Sequence, residues 1–168
     1  MPNRELLILR HAKSSWEDPG QADFDRLLNQ RGVDDGRRLG RVYAEGLPPP
    51  DRVLCSPARR TRDTLAFLIP DLVDPRHVAY EDALYLAGAE TLLDWLRAAP
   101  VACRVLMLVG HNPGLTDLVN LLRGGRQPKL DNLPTFALAH FRGAAPWSEW
   151  GSGELDEEPL LRPKAFRS

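Results

Sequence analysis

The stretch "LLILRHAKSSW", Leu6 to Trp16, sets four apolar residues directly against a cation and an imidazole. An unbroken apolar run of this length reads as a short strand covered on both faces, the pattern of a parallel sheet between helices. A strand that merely stops can do so on glycine or asparagine. This one stops on Arg10 and His11, so its meaning depends on what the other strand ends carry.

Three further runs read the same way: "RVLC" (52–55), "HVAY" (77–80) and "RVLMLV" (104–109). Between them the spacing predicts helices. Asn29 is placed to cap the first, with Val33, Leu39, Val42 and Tyr43 along one face. Ser56-Pro57 reads as a capping hydroxyl followed by proline at the first helical position, and Leu65, Leu68 and Ile69 carry that helix to Pro70. A third helix is expected from about Glu90 to Arg97. Asn112-Pro113 repeats the cap-and-proline signal ahead of Leu115, Leu118, Val119 and Leu122. Strands alternating with helices predict an α/β fold, a three-layer α/β/α sandwich around a mostly parallel sheet with right-handed crossovers. "TFALAHF" (135–141) adds a candidate strand. The tail from Gly143 reads as a loop or short hairpin packed by Trp147 and Trp150.

In such a sheet, ligands bind outside the carboxyl ends of the strands, where helix amides point outward. The first strand ends in Arg10-His11. The second leads into "SPARRTRDT", with Arg59, Arg60 and Arg62 in the first turns of a helix. The fourth leads into "GHNPG", with His111 just ahead of a cap. Arginines at a helix start oppose the helix dipole, a misfit that an anion at the same place removes. Two histidines and several arginines on one sheet edge therefore predict an anion site, with phosphate as the natural guest.

The bulk numbers fit one globular domain over 1–168. The 168 residues can bury a continuous core, hydrophobic residues make up 43% and charged residues 27%, and the net charge is -1. No global field points to nucleic acid or an anionic membrane. Of the 22 basic residues only Lys13, Lys129 and Lys164 are lysines; arginine's planar fork suits phosphate. Cys55 and Cys103 follow no CxxC spacing and read as buried, reduced thiols. No signal peptide or run of about 18 apolar residues is present. A reducing, cytoplasmic setting is expected.

Rival chemistries fail on spacing. The sixth residue after Cys55 is Thr61, where a cysteine phosphatase loop needs arginine. There is no GxxxxGK[ST] and no GxGxxG. No HExxH or Asp/His cluster accompanies the histidines, and the arginines beside them repel a divalent cation. Neither metal nor cofactor is expected.

Together "LRHAKSSW", "SPARRTRDT" and "VGHNPG" resemble the histidine phosphatase superfamily, the phosphoglycerate mutase-like fold, and within it the SixA-type phosphohistidine phosphatases. The resemblance runs from about Leu6 to Leu122. It implies that His11 is the nucleophile, Arg10 its neighbouring phosphate ligand, Arg60 the arginine of a Ser-Pro-x-x-Arg pattern, and His111 the second histidine that binds phosphoryl oxygens. "DFDRLLNQRG" is similar to the branch's "DRPL…RG" element and implies Arg26 as a further phosphate ligand, with Leu27 where proline is usual.

The activity implied is metal-independent phosphoryl hydrolysis through a phosphohistidine intermediate, on phosphohistidine in a protein. The alternatives are a small phosphate ester as substrate, or a phosphate-binding module without turnover. Mutases of this superfamily place an acid after the third strand. In "YEDALYLAGAE" the corresponding position falls near Leu86, while Glu81, Asp82 and Glu90 read as exposed charges. A missing acid suits phosphohistidine, whose protonated imidazole leaves readily. His77 and His140 read as structural and Trp16 as a packing residue. Lys13, Ser14 and Ser15 read as builders of the turn after the nucleophile.

Overall fold

The computed structural model describes residues 3–151 and 153–166. Its centre is one six-stranded sheet in the order β3-β2-β4-β1-β5-β6. β1 (Arg4–Arg10), β2 (Arg52–Cys55), β3 (Val78–Tyr80) and β4 (Val105–Gly110) run parallel. β5 (Leu138–Gly143) and the short β6 (Asp156–Glu157) extend the sheet antiparallel.

Period-two alternation explains the layers. Leu6, Ile8, Leu54, Leu106 and Leu108 point to one face, where α3 (Ala89–Arg97) and α4 (Gly114–Arg123) supply Leu92, Leu93, Leu96, Leu115, Leu118 and Leu122. Leu7, Leu9, Val53, Cys55, Met107 and Val109 point to the other, against Leu39 and Tyr43 of α1 (Gln30–Gly46) and Leu65 of α2 (Arg59–Ala66). Every residue of β4 is buried. The expected three-layer α/β sandwich is what forms. No helix among the described residues is long and apolar enough to cross a membrane.

Several local expectations need correction. Asn29 does cap α1, its side chain accepting from the Gly32 amide. Ser56 does not cap α2, which begins at Arg59 after Ala58. The Ser56 hydroxyl reaches the Ala58 amide at 3.3 Å and lies 2.8 Å from His111 Nε2. That helix ends at Ala66, because the amides of Phe67 and Leu68 bond three residues back and tighten the last turn. Pro113 is the cap of α4 rather than its first residue, while Asn112 Oδ1 accepts from the Thr116 amide and hydroxyl. His77 lies in a 3-10 turn before β3, and Thr135–Ala137 precede β5. In the tail, Trp147 and Trp150 stack with centroids 4.6 Å apart, both buried against α3 and α4, and β6 pairs with β5.

Two glycines let the backbone close around the sheet edge. A Cβ on Gly32 would lie 2.2 Å from the Lys13 carbonyl oxygen, so α1 can pack against the turn after His11 only without one. A Cβ on Gly114 would lie 1.9 Å from the Ala87 oxygen, so the segment after β3 can lie on the start of α4.

Candidate active site

The parallel strand ends deliver their side chains to one cavity of about 280 Å³, lined by Arg10, His11, Arg26, Arg60 and His111 together with Asp23 and Leu86. All five residues singled out in the sequence therefore meet. Arg59 and Arg62 do not join them: Arg59 pairs with Asp63 on the surface, and Arg62 is exposed.

Backbone bonds hold the first strand end. The His11 amide donates to the Gly110 carbonyl, and the Ala12 amide to Thr64 Oγ1, whose hydroxyl donates to the Arg60 carbonyl. The turn that follows pairs with the segment before α1: the Asn29 amide donates to Lys13 O and the Ser15 amide to Leu27 O. This pairing brings in Arg26 without a proline at position 27. Arg26 is buried and donates through Nη1 to Ser14 Oγ at 2.6 Å.

His11 is 6% exposed, and its Nδ1 lies 2.7 Å from the Ala12 carbonyl oxygen. A carbonyl can only accept, so Nδ1 carries the proton and Nε2 keeps its lone pair. The ring centroid lies 5.4 Å from that of His111. Burial pushes the His11 pKa down to about 3; the bond to Ala12 opposes this, and His111, Arg10 and Arg60 reinforce it. His111 is likewise at about 3, by burial and the nearby Arg60, against the pull of Asp23. Both imidazoles are neutral at ordinary pH.

Asp23 is the functional-looking residue that the sequence reading left without a role. Its carboxylate takes Arg26 Nε at 3.0 Å, Arg60 Nη2 at 3.1 Å and the Tyr85 hydroxyl, while its carbonyl takes Arg60 Nη1 at 2.7 Å. Burial pulls its pKa upward, but the Tyr85, Arg26 and Arg60 contacts outweigh that and hold it at about 2. Its position three residues before Arg26 was a signal for the first contact only; the partners Arg60 and Tyr85 come from elsewhere in the chain. Three guanidinium groups, the Lys13 ammonium and one carboxylate leave the cavity three net positive charges.

Of the buried side-chain nitrogens without a hydrogen-bond partner among the described residues, three belong to this cavity: Arg10 Nε, Arg60 Nε and His111 Nδ1. Buried donors are nearly always paired. Three such atoms on residues that line one strongly cationic cavity suit an anion there.

Other expectations resolve individually. Trp16 is not a packing residue: it is 76% exposed, with the Arg26 guanidinium stacked 3.6 Å from its ring centroid. Leu86, near the position that the resemblance sets against the mutases' acid, lines the cavity, whereas Glu81, Asp82 and Glu90 are not part of its lining. Lys13 and Ser14 line it as well. His77 Nδ1 sits 3.2 Å from the Pro50 carbonyl and His140 Nε2 2.9 Å from Glu5 Oε1, both far from the cavity. Burial lifts the thiol of Cys55 to about 12 and that of Cys103 to about 11, which removes both as nucleophiles. Among the described residues no group of three or more His, Cys, Asp or Glu could hold a metal ion.

Comparison with known proteins agrees with this geometry. The chain is 32% identical over 148 residues to the uncharacterized protein Rv1276c of Mycobacterium tuberculosis, covering 84% of this chain and 90% of that one. It superposes on the putative phosphohistidine phosphatase SixA from Nakamurella multipartitia with TM-score 0.82 and 25% identity, over 97% of this chain and 98% of that one. It superposes on the putative phosphohistidine phosphatase SixA from Agrobacterium tumefaciens with TM-score 0.79 and 29% identity, over 97% and 99%. Residues 6–84, which carry two of the three motifs, match the sequence profile of the histidine phosphatase superfamily (branch 1). The fold is the phosphoglycerate mutase-like one, and the chain belongs to the histidine phosphatase superfamily.

Proposed function

We propose that the protein is a metal-independent phosphatase in which His11 accepts the phosphoryl group, and that its substrate is phosphohistidine in a protein. The observation that carries this is the commitment of His11 Nδ1 to the Ala12 carbonyl, which leaves a neutral Nε2 lone pair among unpaired cationic donors.

The chemistry follows in two steps. Nε2 attacks phosphorus in line, a P–N bond forms to His11, and the bond from phosphorus to the leaving group breaks with its electron pair going to that group. Water then attacks the phosphoryl group, the P–N bond to His11 breaks, Nε2 regains its lone pair and inorganic phosphate departs. Arg10, Arg26, Arg60 and His111 stabilise the charge on the equatorial oxygens, which is most of what phosphoryl transfer requires. Asp23 holds two of those arginines in orientation. Losing one such donor costs roughly 10²–10³ in rate.

The leaving group selects the substrate. Leu86 supplies no proton where a carboxylate would serve an alkoxide. The imidazole of phosphohistidine, when protonated on its other ring nitrogen, takes the P–N electron pair and departs as neutral imidazole, so it needs no proton donor at the leaving atom. The relatives named for phosphohistidine support the same reading. The buried, unpaired thiols fit a reducing, cytoplasmic setting.

Trapping tests the proposal. Brief reaction with a labelled phosphohistidine protein should leave acid-labile, alkali-stable label on His11 and none on the His11→Ala variant. Label elsewhere, or turnover that survives the substitution, overturns it.

A further inference from the structure

Two of the exposed large hydrophobic residues, Trp16 and Leu86, line the cavity, whose other lining residues are all polar or charged. Neither is explained by packing. Trp16 is 76% exposed although the Arg26 guanidinium lies 3.6 Å from its ring centroid. Leu86 is half exposed and held at φ 53°, a left-handed conformation that bulky side chains rarely adopt. Strained positions of this kind concentrate at ligand sites. The segment is fixed from both sides, since the Ala87 amide donates to Leu84 O and the Ala87 carbonyl lies on Gly114.

We infer that Trp16 and Leu86 form the leaving-group subsite, an apolar pair that receives a planar ring while the phosphoryl group lies on the arginines. The inference rests on the reading of the cavity as a phosphoryl site and adds what the leaving group must be. A sugar or alkyl alcohol would want hydrogen-bond partners and a proton donor at this wall. Lys13, Ser14, Asn112 and Thr135 supply hydrogen-bonding groups elsewhere in the lining, but the indole and the leucine suit the flat face of an imidazole or aryl ring, which stacks on aromatics in offset or edge-on geometry. Arg26 couples the two halves: its guanidinium contacts the indole by cation–π stacking and faces the phosphoryl side through its Ser14 and Asp23 contacts. A cavity of about 280 Å³ has room for a phosphoryl group and one small ring, and its open mouth leaves the rest of a protein substrate outside.

The test compares phenylphosphonate with methylphosphonate by titration calorimetry, which requires no turnover. Wild type should bind the phenyl compound about tenfold more tightly, a difference in the range expected for ring stacking. Trp16→Ala and Leu86→Ala should each lose at least fivefold more affinity for the phenyl than for the methyl ligand, and Trp16→Phe should restore most of the preference. Equal affinities in wild type, or equal losses for both ligands in Trp16→Ala, overturn the subsite; in the second case the indole serves only to brace Arg26. A ring preference in a protein that never labels His11 supports the subsite and sinks the hydrolase instead.

Discussion

Arg60 grips Asp23 twice across 37 residues of sequence, through Nη2 to the carboxylate at 3.1 Å and through Nη1 to the backbone carbonyl at 2.7 Å. The same carboxylate holds Arg26, so one acidic side chain aligns two of the three guanidinium groups.

Asp23→Asn should therefore disorder the cations without removing any of them. We expect kcat to fall by about tenfold or more while inorganic phosphate still inhibits, with Asp23→Ala worse than Asp23→Asn. Steady-state kinetics with product inhibition separates the two effects. An unchanged kcat would mean that the arginines hold their places alone.

The depressed histidines predict the pH behaviour. Their folded values of about 3 lie below the usual value near 6.5 in the unfolded chain. Between those values the unfolded chain binds protons that the folded one does not, so stability falls on acidification and is unaffected above pH 7. Each histidine contributes up to about 1.4 kcal/mol per pH unit in that window. Urea unfolding at pH 7 and at pH 4.5 should show the loss, and His111→Gln should lessen it. Likewise kcat/KM should show no limb near pH 6.5 from His11, whose lone pair stays available down to far lower pH.

Leu86→Glu places a carboxyl group on the cavity wall, beside the expected leaving group. A positioned general acid is worth roughly 10²–10⁴ in rate; an unoptimised one should raise kcat/KM on an alkyl phosphate by at least about tenfold, with a new limb at the alkaline side as the carboxyl ionises. No gain would place residue 86 out of reach of the leaving oxygen.

Two glycine substitutions should have opposite signs. Gly114→Ala drives a Cβ into the Ala87 carbonyl and should cost about 2 kcal/mol or more, since backbone on both sides must shift. Gly46→Ala ends α1 in open space and should stabilise by about 0.5–1 kcal/mol. Thermal unfolding of the two variants beside wild type decides both.

Much of this protein is local information. The apolar runs at Leu6–Leu9 and Arg52–Cys55 specify covered strands, and the chemistry at their ends follows from adjacency in the chain, because a strand's next residues must emerge at its carboxyl edge. That is why Arg10, His11 and His111 are legible in the sequence, while Arg60 is told apart from Arg59 and Arg62 only by the resemblance. Asn29 as a cap was legible for the same reason, its partner Gly32 being three residues away.

What tertiary structure decided are the relationships between segments far apart in sequence. Asp23 acquires its role only when the 3-10 turn Asp23–Asp25, α2 and the segment after β3 come together, as Arg60 and Tyr85 reach it from 37 and 62 residues away. Ser56 looks like a helix cap by spacing, but His111, 55 residues on, claims its hydroxyl. Trp16 reads as core by composition, yet its surroundings leave it in solvent over the cavity. A residue type and its neighbours fix what a side chain can do. The packing of distant backbone fixes which of those possibilities it meets.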